Sequence, residues 1–342
     1  MGDILHALPA VTALRIAHPE WIIDWVVEPK WSALLATQGA TSRDTASSAS
    51  RQPVVDRIHL APAKEWGKRP LSPQTILELR ALRRCIRENH YDAAIDFQGA
   101  VRSAMFGRFA GCPLIGEAKP REWAARWLFS EHVATTGAHV IQQDYELAAA
   151  IAADSLKPVQ PWLPFDPRAE AWAESLLAST PGQPSVLINP GAGWGAKRWP
   201  VERYAAVAKA LVGHGYRVLV NAGPDEEPIA EIIVNETGRA ATLLPPSLEN
   251  LIGVTRRVSL VIAGDTGPLH LACALGKPVV GIYGPTDPCR NGPFGTRFKV
   301  LRHPASVRDH ARREEPEAGL LTIQPGEVLV AAEELLKLES AP

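Results

Sequence analysis

Long apolar runs are missing from this chain. No stretch approaches the roughly 18 residues that carry a helix across a bilayer, and no segment of secretory character is read ahead of the first apolar element, so any membrane contact is expected to be peripheral. Cysteine is scarce. Cys85, Cys112, Cys273 and Cys289 share no short spacing, which argues against a zinc site or a disulfide framework and for reduced thiols in a cytoplasmic protein. An excess of one charge is lacking too. The 36 basic and 37 acidic residues leave a net charge of −1, so no global field recruits nucleic acid and no such partner is expected. No His, Cys, Asp and Glu cluster has metal-ligand spacing, and no Asp-x-Asp pair is present to carry a metal to a nucleotide diphosphate. Neither a metal nor a cofactor is expected.

What remains is ordinary globular material, 46% apolar and 21% charged over 342 residues, enough for one or two well-buried domains. Apolar strand-like runs alternate with helix-period segments throughout, the pattern of a parallel α/β architecture. Strands are predicted at 21–27, 54–60 and 93–97 in the first half, with a polar Ser/Thr/Ala-rich loop at 37–52. Composition turns to Pro and Trp in Lys157-Pro-Val-Gln-Pro-Trp-Leu-Pro164, the best candidate for an interdomain linker. The second half restarts the pattern: a strand at 186–189, an amphipathic helix at 201–213, strands at 217–221 and 241–244, a helix at 248–254, and a closing helix at 324–338. Two such halves predict two Rossmann-like, doubly wound domains facing a cleft: an N-terminal domain at 1–155, a linker at 156–166, a C-terminal domain at 167–323 and a closing helix at 324–342.

The stretch from Val258 to Gly276 is the most informative. It reads as a buried strand, a sharp turn at Asp265, Thr266 and Gly267, then a helix with Pro268 in its first turn, where a missing N–H costs nothing. Free N–H groups at that helix start form an anion site, and His270 lies close enough to reach the same anion. The following strand runs into Gly284-Pro-Thr-Asp-Pro288, a second rigid loop. Both loops are expected on one sheet edge, where open α/β proteins bind ligands.

Asn189-Pro-Gly-Ala-Gly-Trp-Gly-Ala-Lys-Arg-Trp-Pro200 is a glycine-rich loop between strand and helix. It is neither a P-loop nor a dinucleotide fingerprint, because the glycine spacing is wrong for both. Lys197, just before a helix start set by Pro200, is placed either to meet a phosphate or to sit solvated on the loop. The carboxylates Asp225, Glu226 and Glu227 follow a strand end, where they could accept from ribose hydroxyls or form a solvated acidic turn. Asp3 could serve as a helix N-cap or, at a strand's carboxyl edge, as a general base. Arg102, Arg108, Lys119, Arg121 and Arg126 are interleaved with Trp123 and Trp127, while Lys64, Lys68 and Arg69 flank Trp66. Either group could be a solvated face or meet an anionic partner. Most of the ten tryptophans are expected in the core.

The chain opens on what reads as a βα turn and helix start, without a strand before it. Since the first strand of a doubly wound sheet lies in its middle, Met1 is read as an internal methionine, with an apolar strand expected upstream and poor solubility expected without it.

Gly2-Asp-Ile-Leu-His-Ala-Leu-Pro9, Asp24-Trp-Val-Val-Glu28, Tyr91-Asp-Ala-Ala-Ile-Asp-Phe-Gln-Gly99, Lys197-Arg-Trp-Pro200, Asp265-Thr-Gly-Pro-Leu-His270 and Tyr283-Gly-Pro-Thr-Asp-Pro288 together resemble the lipopolysaccharide heptosyltransferases, family 9 of the glycosyltransferases. The resemblance runs in order over nearly the whole chain. Its first-half segments look most like the type I members, which add the first heptose of the inner core. It implies the two-domain GT-B fold and an inverting, metal-independent transfer of heptose from ADP-heptose to Kdo of the lipid A inner core. Also implied are a cytoplasmic location and peripheral contact with the inner face of the cytoplasmic membrane.

By the same resemblance Asp3 is the general base. Lys197 contacts the donor phosphates, Asp265, Thr266, Gly267 and His270 hold the diphosphate and sugar, and Glu226 (or Asp225) binds the ribose. Arg121 matches the acceptor-binding residues best, with Lys64, Lys68 and Arg69 aligning loosely. The family's first strand and the serines after it are not found, and the highly charged residues 302–319 carry no motif of the resemblance. Two other readings stay open: a member using a different NDP-sugar or acceptor, and a catalytically inactive nucleotide-binding module.

Overall fold

The computed structural model describes residues 1–37, 53–178, 182–223, 225–309 and 313–340. The polar loop expected at 37–52 lies, from residue 38 on, outside the described residues. The chain divides into two compact units, one built on Asp3–Pro164 and the other on Phe165–Pro342.

The first unit alternates strand and helix: α1 (Gly2–Ala17), β1 (Asp24–Val27), β2 (Arg57–Leu60), α2 (Ala63–Lys68), α3 (Pro73–Arg87), β3 (Ala94–Asp96), α4 (Val101–Arg108), β4 (Leu114–Glu117), a 3-10 segment Trp123–Leu128, β5 (Glu131–Val133) and α5 (Val140–Ala152). Five strands stand where three were predicted. The missed pair are short: the apolar part of β4 is only Leu114 and Ile115, and β5 is a polar edge strand with no buried residue. All pairing is parallel, in two groups: β1 with β2, and β3 with β4 and β5 in that order.

Helix α1 packs on both groups. Leu8 and Val11 cluster with Ile23, Val27 and Phe97, while Ala10 and Leu14 cluster with Ile23, Ile95 and Phe97. Near its end the buried Arg15 guanidinium pairs with Asp56 and donates to the Trp21 carbonyl at 2.6 Å, as a buried cation must. A second knot, centred on the buried Asp24 carboxylate, ties the strand groups together: Tyr91 donates to Asp24, Arg57 Nε lies 3.0 Å from the same carboxylate, and His59 Nε2 lies 2.7 Å from the Tyr91 oxygen.

The second unit contains α6 (Pro167–Ala178), β6 (Ser185–Asn189), α7 (Val201–Gly213), β7 (Arg217–Val220), α8 (Glu227–Glu236), β8 (Thr242–Leu243), α9 (Leu248–Thr255), β9 (Leu260–Gly264), α10 (Gly267–Ala274), β10 (Val279–Tyr283), α11 (Pro288–Asn291), β11 (Phe298–Arg302) and α12 (Pro325–Ser340). Its sheet has six parallel strands in the order β11-β10-β9-β6-β7-β8. Strands β6, β9 and β10 are buried along their whole length, which is why they read as continuous apolar runs rather than as alternation. Residues of α7, α8 and α12 form one core with Val186, Ile188, Val218, Val220, Leu260 and Ile262. The alternate residues Leu187, Leu219 and Val261 are equally buried, so the sheet is covered on both faces. Strand order reverses between β6 and β9, and that reversal places the ligand crevice of a doubly wound sheet outside their carboxyl ends.

Of the ten tryptophans expected mostly in the core, only Trp66 and Trp199 are fully buried. Trp123 and Trp127 are exposed and the rest are intermediate. Indole carries a polar N–H and a large face, so partial exposure is its common compromise.

Candidate active site

The glycine-rich loop leaves β6 and the Asp265 turn leaves β9, so both stand at the carboxyl ends of the two strands that flank the reversal. Asn189, the last residue of β6, is buried. Its amide nitrogen reaches Thr266 Oγ1 at 3.5 Å and the Gly191 carbonyl at 3.4 Å, while its oxygen accepts from Asn221 Nδ2 at 2.6 Å. This amide chain fastens the ends of three neighbouring strands. Neither asparagine was singled out from the sequence, where two isolated amides carry no pattern.

Lys197 and His270 converge on Asp265. The Lys197 ammonium pairs with Asp265 Oδ2, and His270 Nε2 lies 3.1 Å from Asp265 Oδ1. All three side chains are at most 10% exposed. Burial pushes the Asp265 carboxyl up, but the His270 hydrogen bond and charge and the Lys197 ammonium outweigh it and hold the group below the usual carboxylate range. Asp265 therefore stays ionised. It cannot itself hold a phosphate; it fixes two groups that can, and it can accept from a sugar hydroxyl. The Lys197 ammonium also sits 4.2 Å from the centre of the Trp194 ring, a cation–π contact that restrains it further.

Thr266 is the N-cap of α10, and Pro268 stands in its first turn. The Thr266 side chain does not cap this end. Glu226 is the N-cap residue of α8, and its carboxylate accepts from the Gly223 N–H at 3.0 Å. Asp225 sits beside it, exposed. On the Gly284-Pro-Thr-Asp-Pro288 loop after β10, the buried Thr286 hydroxyl has no hydrogen-bond partner among the described residues. Buried hydroxyls are rarely left so.

Residues 313–317, within the charged stretch that carries no motif of the resemblance, pack on the glycine-rich loop. The Arg313 carbonyl accepts from Ala196 N–H at 3.0 Å, and Glu317 N–H donates back to the Ala196 carbonyl at 3.1 Å. A side chain at Gly195 would meet the Glu314 carbonyl at 1.6 Å, so only glycine admits the segment. Glu317 anchors it by accepting from Ser306 Oγ at 3.0 Å and Leu320 N–H at 2.9 Å. The residue before Lys197 is thus clamped on both its backbone groups.

In the first unit Asp3 lies in the first turn of α1, not in a loop. Met1 is the N-cap residue, with no side-chain cap, so the capping role open to Asp3 is not the one it takes. Its half-exposed carboxylate accepts from Gln98 Nε2 at 2.8 Å, and Arg121 lies 3.8 Å away. Gln98 follows β3 in a turn built by Asp96, which accepts from the Gln98 and Gly99 N–H groups at 2.9 and 3.2 Å and from Ser103 Oγ at 3.0 Å. Gly99 has φ +64°, and a Cβ there would meet Arg121 N at 2.9 Å. Its glycine lets the Arg121 loop dock, and Glu122 N–H closes the contact on the Gly99 carbonyl at 2.8 Å. In the sequence Gln98 stands out only as part of the Tyr91–Gly99 motif; its place just past a strand end is the available signal.

Lys64 and Lys68 lie on α2 and Arg69 caps it. Lys68 is paired with Glu65 at 2.8 Å, and the Lys64 N–H donates to Glu28 at 2.8 Å. These residues follow β2, while Arg121 follows β4 in the other strand group.

Residues 79–320 match the profile of glycosyltransferase family 9 (heptosyltransferase). The chain is 30% identical over 312 residues to lipopolysaccharide heptosyltransferase 1 of Escherichia coli strain K12, covering 89% of this chain and 91% of that protein. It is 25% identical over 373 residues to lipooligosaccharide heptosyltransferase 2 of Haemophilus influenzae, covering 98% and 96%. Both types match, so the similarity does not separate them. The solved structure of E. coli heptosyltransferase WaaC with ADP superposes with a TM-score of 0.77 at 27% identity, covering 98% of this chain and 97% of that one. The chain belongs to glycosyltransferase family 9, the heptosyltransferases, and has their GT-B fold.

Proposed function

We propose that this protein transfers heptose from ADP-heptose to a Kdo hydroxyl of the lipid A inner core, as a type I enzyme, with inversion and without a metal ion. The observation that carries the reading is the ionised Asp265 holding Lys197 and His270 at the point where strand order reverses. Lys197, His270 and the N-terminal N–H groups of α10 offset the charge that grows on the departing ADP. Thr266, Gly267 and the unpartnered Thr286 hydroxyl complete the donor side. Glu226, next to the end of β7, takes the ribose hydroxyls. Solved structures of the relative WaaC with ADP and with a fluoro-heptose ADP analogue support such a donor.

In the first unit, Asp3 takes the proton from the acceptor hydroxyl, with Gln98 and Arg121 orienting its carboxylate. Arg121, and with it Lys64, Lys68 and Arg69, meets the anionic acceptor. The protein works at the cytoplasmic face of the membrane, in peripheral contact with it. A panel of ADP- and UDP-sugars offered with a Kdo–lipid A acceptor, with products followed by mass spectrometry, tests the reading. Heptose addition with ADP-heptose, undiminished by EDTA, is expected. Transfer of another sugar, no transfer at all, or abolition by chelation would each overturn it.

A further inference from the structure

Helix α4 and the 3-10 segment Trp123–Leu128 pack on each other through Ala104 and Ala125, both fully buried. Their outward sides are unusual. Trp127 is 81% exposed, Trp123 is 62% exposed, and Val101 and Met105 are exposed one helical turn apart. An isolated exposed apolar residue needs no explanation, but two indoles and two aliphatics on adjoining elements of one unit do.

The same two elements and the loops beside them are rich in cations. Between residues 100 and 130 stand Arg102, Arg108, Lys119, Arg121 and Arg126 against only two carboxylates, Glu117 and Glu122. Glu117 is engaged by the Thr135 hydroxyl at 2.8 Å and Glu122 by the Val101 N–H at 2.9 Å. Arg126 lies 5.4 Å from the centre of the Trp123 ring and donates to the Ala118 carbonyl, so the indole is held while its ring stays exposed. Arg102, Arg108, Lys119 and Arg121 are exposed. The chain as a whole carries −1, so this is a local concentration.

We propose that the outer face of α4 and the Trp123–Leu128 segment docks on an anionic lipid bilayer. Indole rings partition to the headgroup level, where one end is apolar and the other wet, and arginines beside them meet lipid phosphates. A second copy of the chain fits poorly, because a two-fold interface on this face would set the five cations against their own counterparts. The inference deepens the peripheral membrane contact proposed above by naming the surface and the lipid charge it reads. It stands on exposure and charge and does not need the sugar chemistry to be right.

The test uses the full chain with sugar-free vesicles, either phosphatidylcholine alone or with a third phosphatidylglycerol. Co-sedimentation is expected with the phosphatidylglycerol vesicles and to fall with salt. Arg102→Glu with Arg108→Glu should weaken it by about fivefold or more per reversed charge, and Trp123→Ser with Trp127→Ser should weaken it at least as much. Hydrogen exchange on the unaltered protein should show vesicle-induced protection over residues 101–128, which keeps the test decisive if a variant folds poorly. Binding that is equal on neutral vesicles, unaffected by these changes, or protected elsewhere would overturn the proposal. So would a dimer in solution that dissociates when the tryptophans are replaced. Heptose transfer measured on a soluble acceptor separates failure of this surface from failure of the proposed reaction.

Discussion

Glu226 occupies the space in which a side chain at Gly191 would begin: a Cβ built on Gly191 would lie 1.9 Å from Glu226 Oε2. The glycine-rich loop after β6 is therefore shaped around the carboxylate that starts α8. A glycine here has nothing to do with a phosphate fingerprint. Its missing side chain makes room for an acid beside the end of β7.

Gly191→Ala should displace Glu226 without touching Lys197 or Asp265. Affinity for ADP, measured by calorimetry, is expected to fall about tenfold, the worth of one charge-assisted hydrogen bond to ribose, with little change in turnover at saturating donor. Unchanged affinity would show that Glu226 is not a ribose ligand.

Lys197→Met leaves the Asp265 carboxylate buried with His270 alone. Stability is expected to drop by about 3 kcal/mol, and ADP affinity should drop with it. Adding Asp265→Asn removes the orphaned charge, so the double variant should regain much of the stability but none of the affinity. Chemical denaturation and calorimetry on the four proteins of the cycle check both halves.

Asp265 also sets an acid limit. Its pKa is depressed below 3.8 in the folded chain, so its stabilisation is complete above the ordinary carboxylate pKa and is lost as pH falls through the lower, folded value. Wild type should therefore lose stability steeply below about pH 4. Asp265→Asn should be less stable at pH 7 and show a shallower acid decline. Parallel slopes in thermal melts from pH 7 to pH 2 would remove this assignment.

Asp3→Ala should lower turnover on the order of a thousandfold while ADP binding holds, because the donor-side residues proposed above all lie on the second unit. Gln98→Ala should give a smaller loss of the same kind, since it orients the carboxylate without taking the proton. Steady-state kinetics alongside ADP calorimetry separates these outcomes. Weakened ADP binding in either variant would make Asp3 a structural residue.

Much of the second unit was legible in one dimension. Helix α7 stands at 201–213 as predicted, and β6, β9 and β10 announced themselves because a strand buried on both faces must be apolar throughout. The Asp265 turn and Pro268 marked a helix start by local chemistry alone. Other elements gave no such signal. Strands β4 and β5 are too short and mixed to show a period, and β11 is a half-exposed edge strand.

Residue types, turn chemistry and the alternation of strand with helix follow from the order of amino acids, because they depend on neighbours a few positions away. The sequence by itself therefore determined the parallel α/β class, the helix start at Gly267 and the family motifs. Which side chains meet was decided only in three dimensions. Gln98 reaches Asp3 across 95 positions and Lys197 reaches Asp265 across 68, and the clamp of Arg313 and Glu317 on Ala196 comes from more than a hundred positions away, in a stretch without a motif of its own. Such pairings are set by strand order and by the space a glycine leaves open, and neither is written in local periodicity.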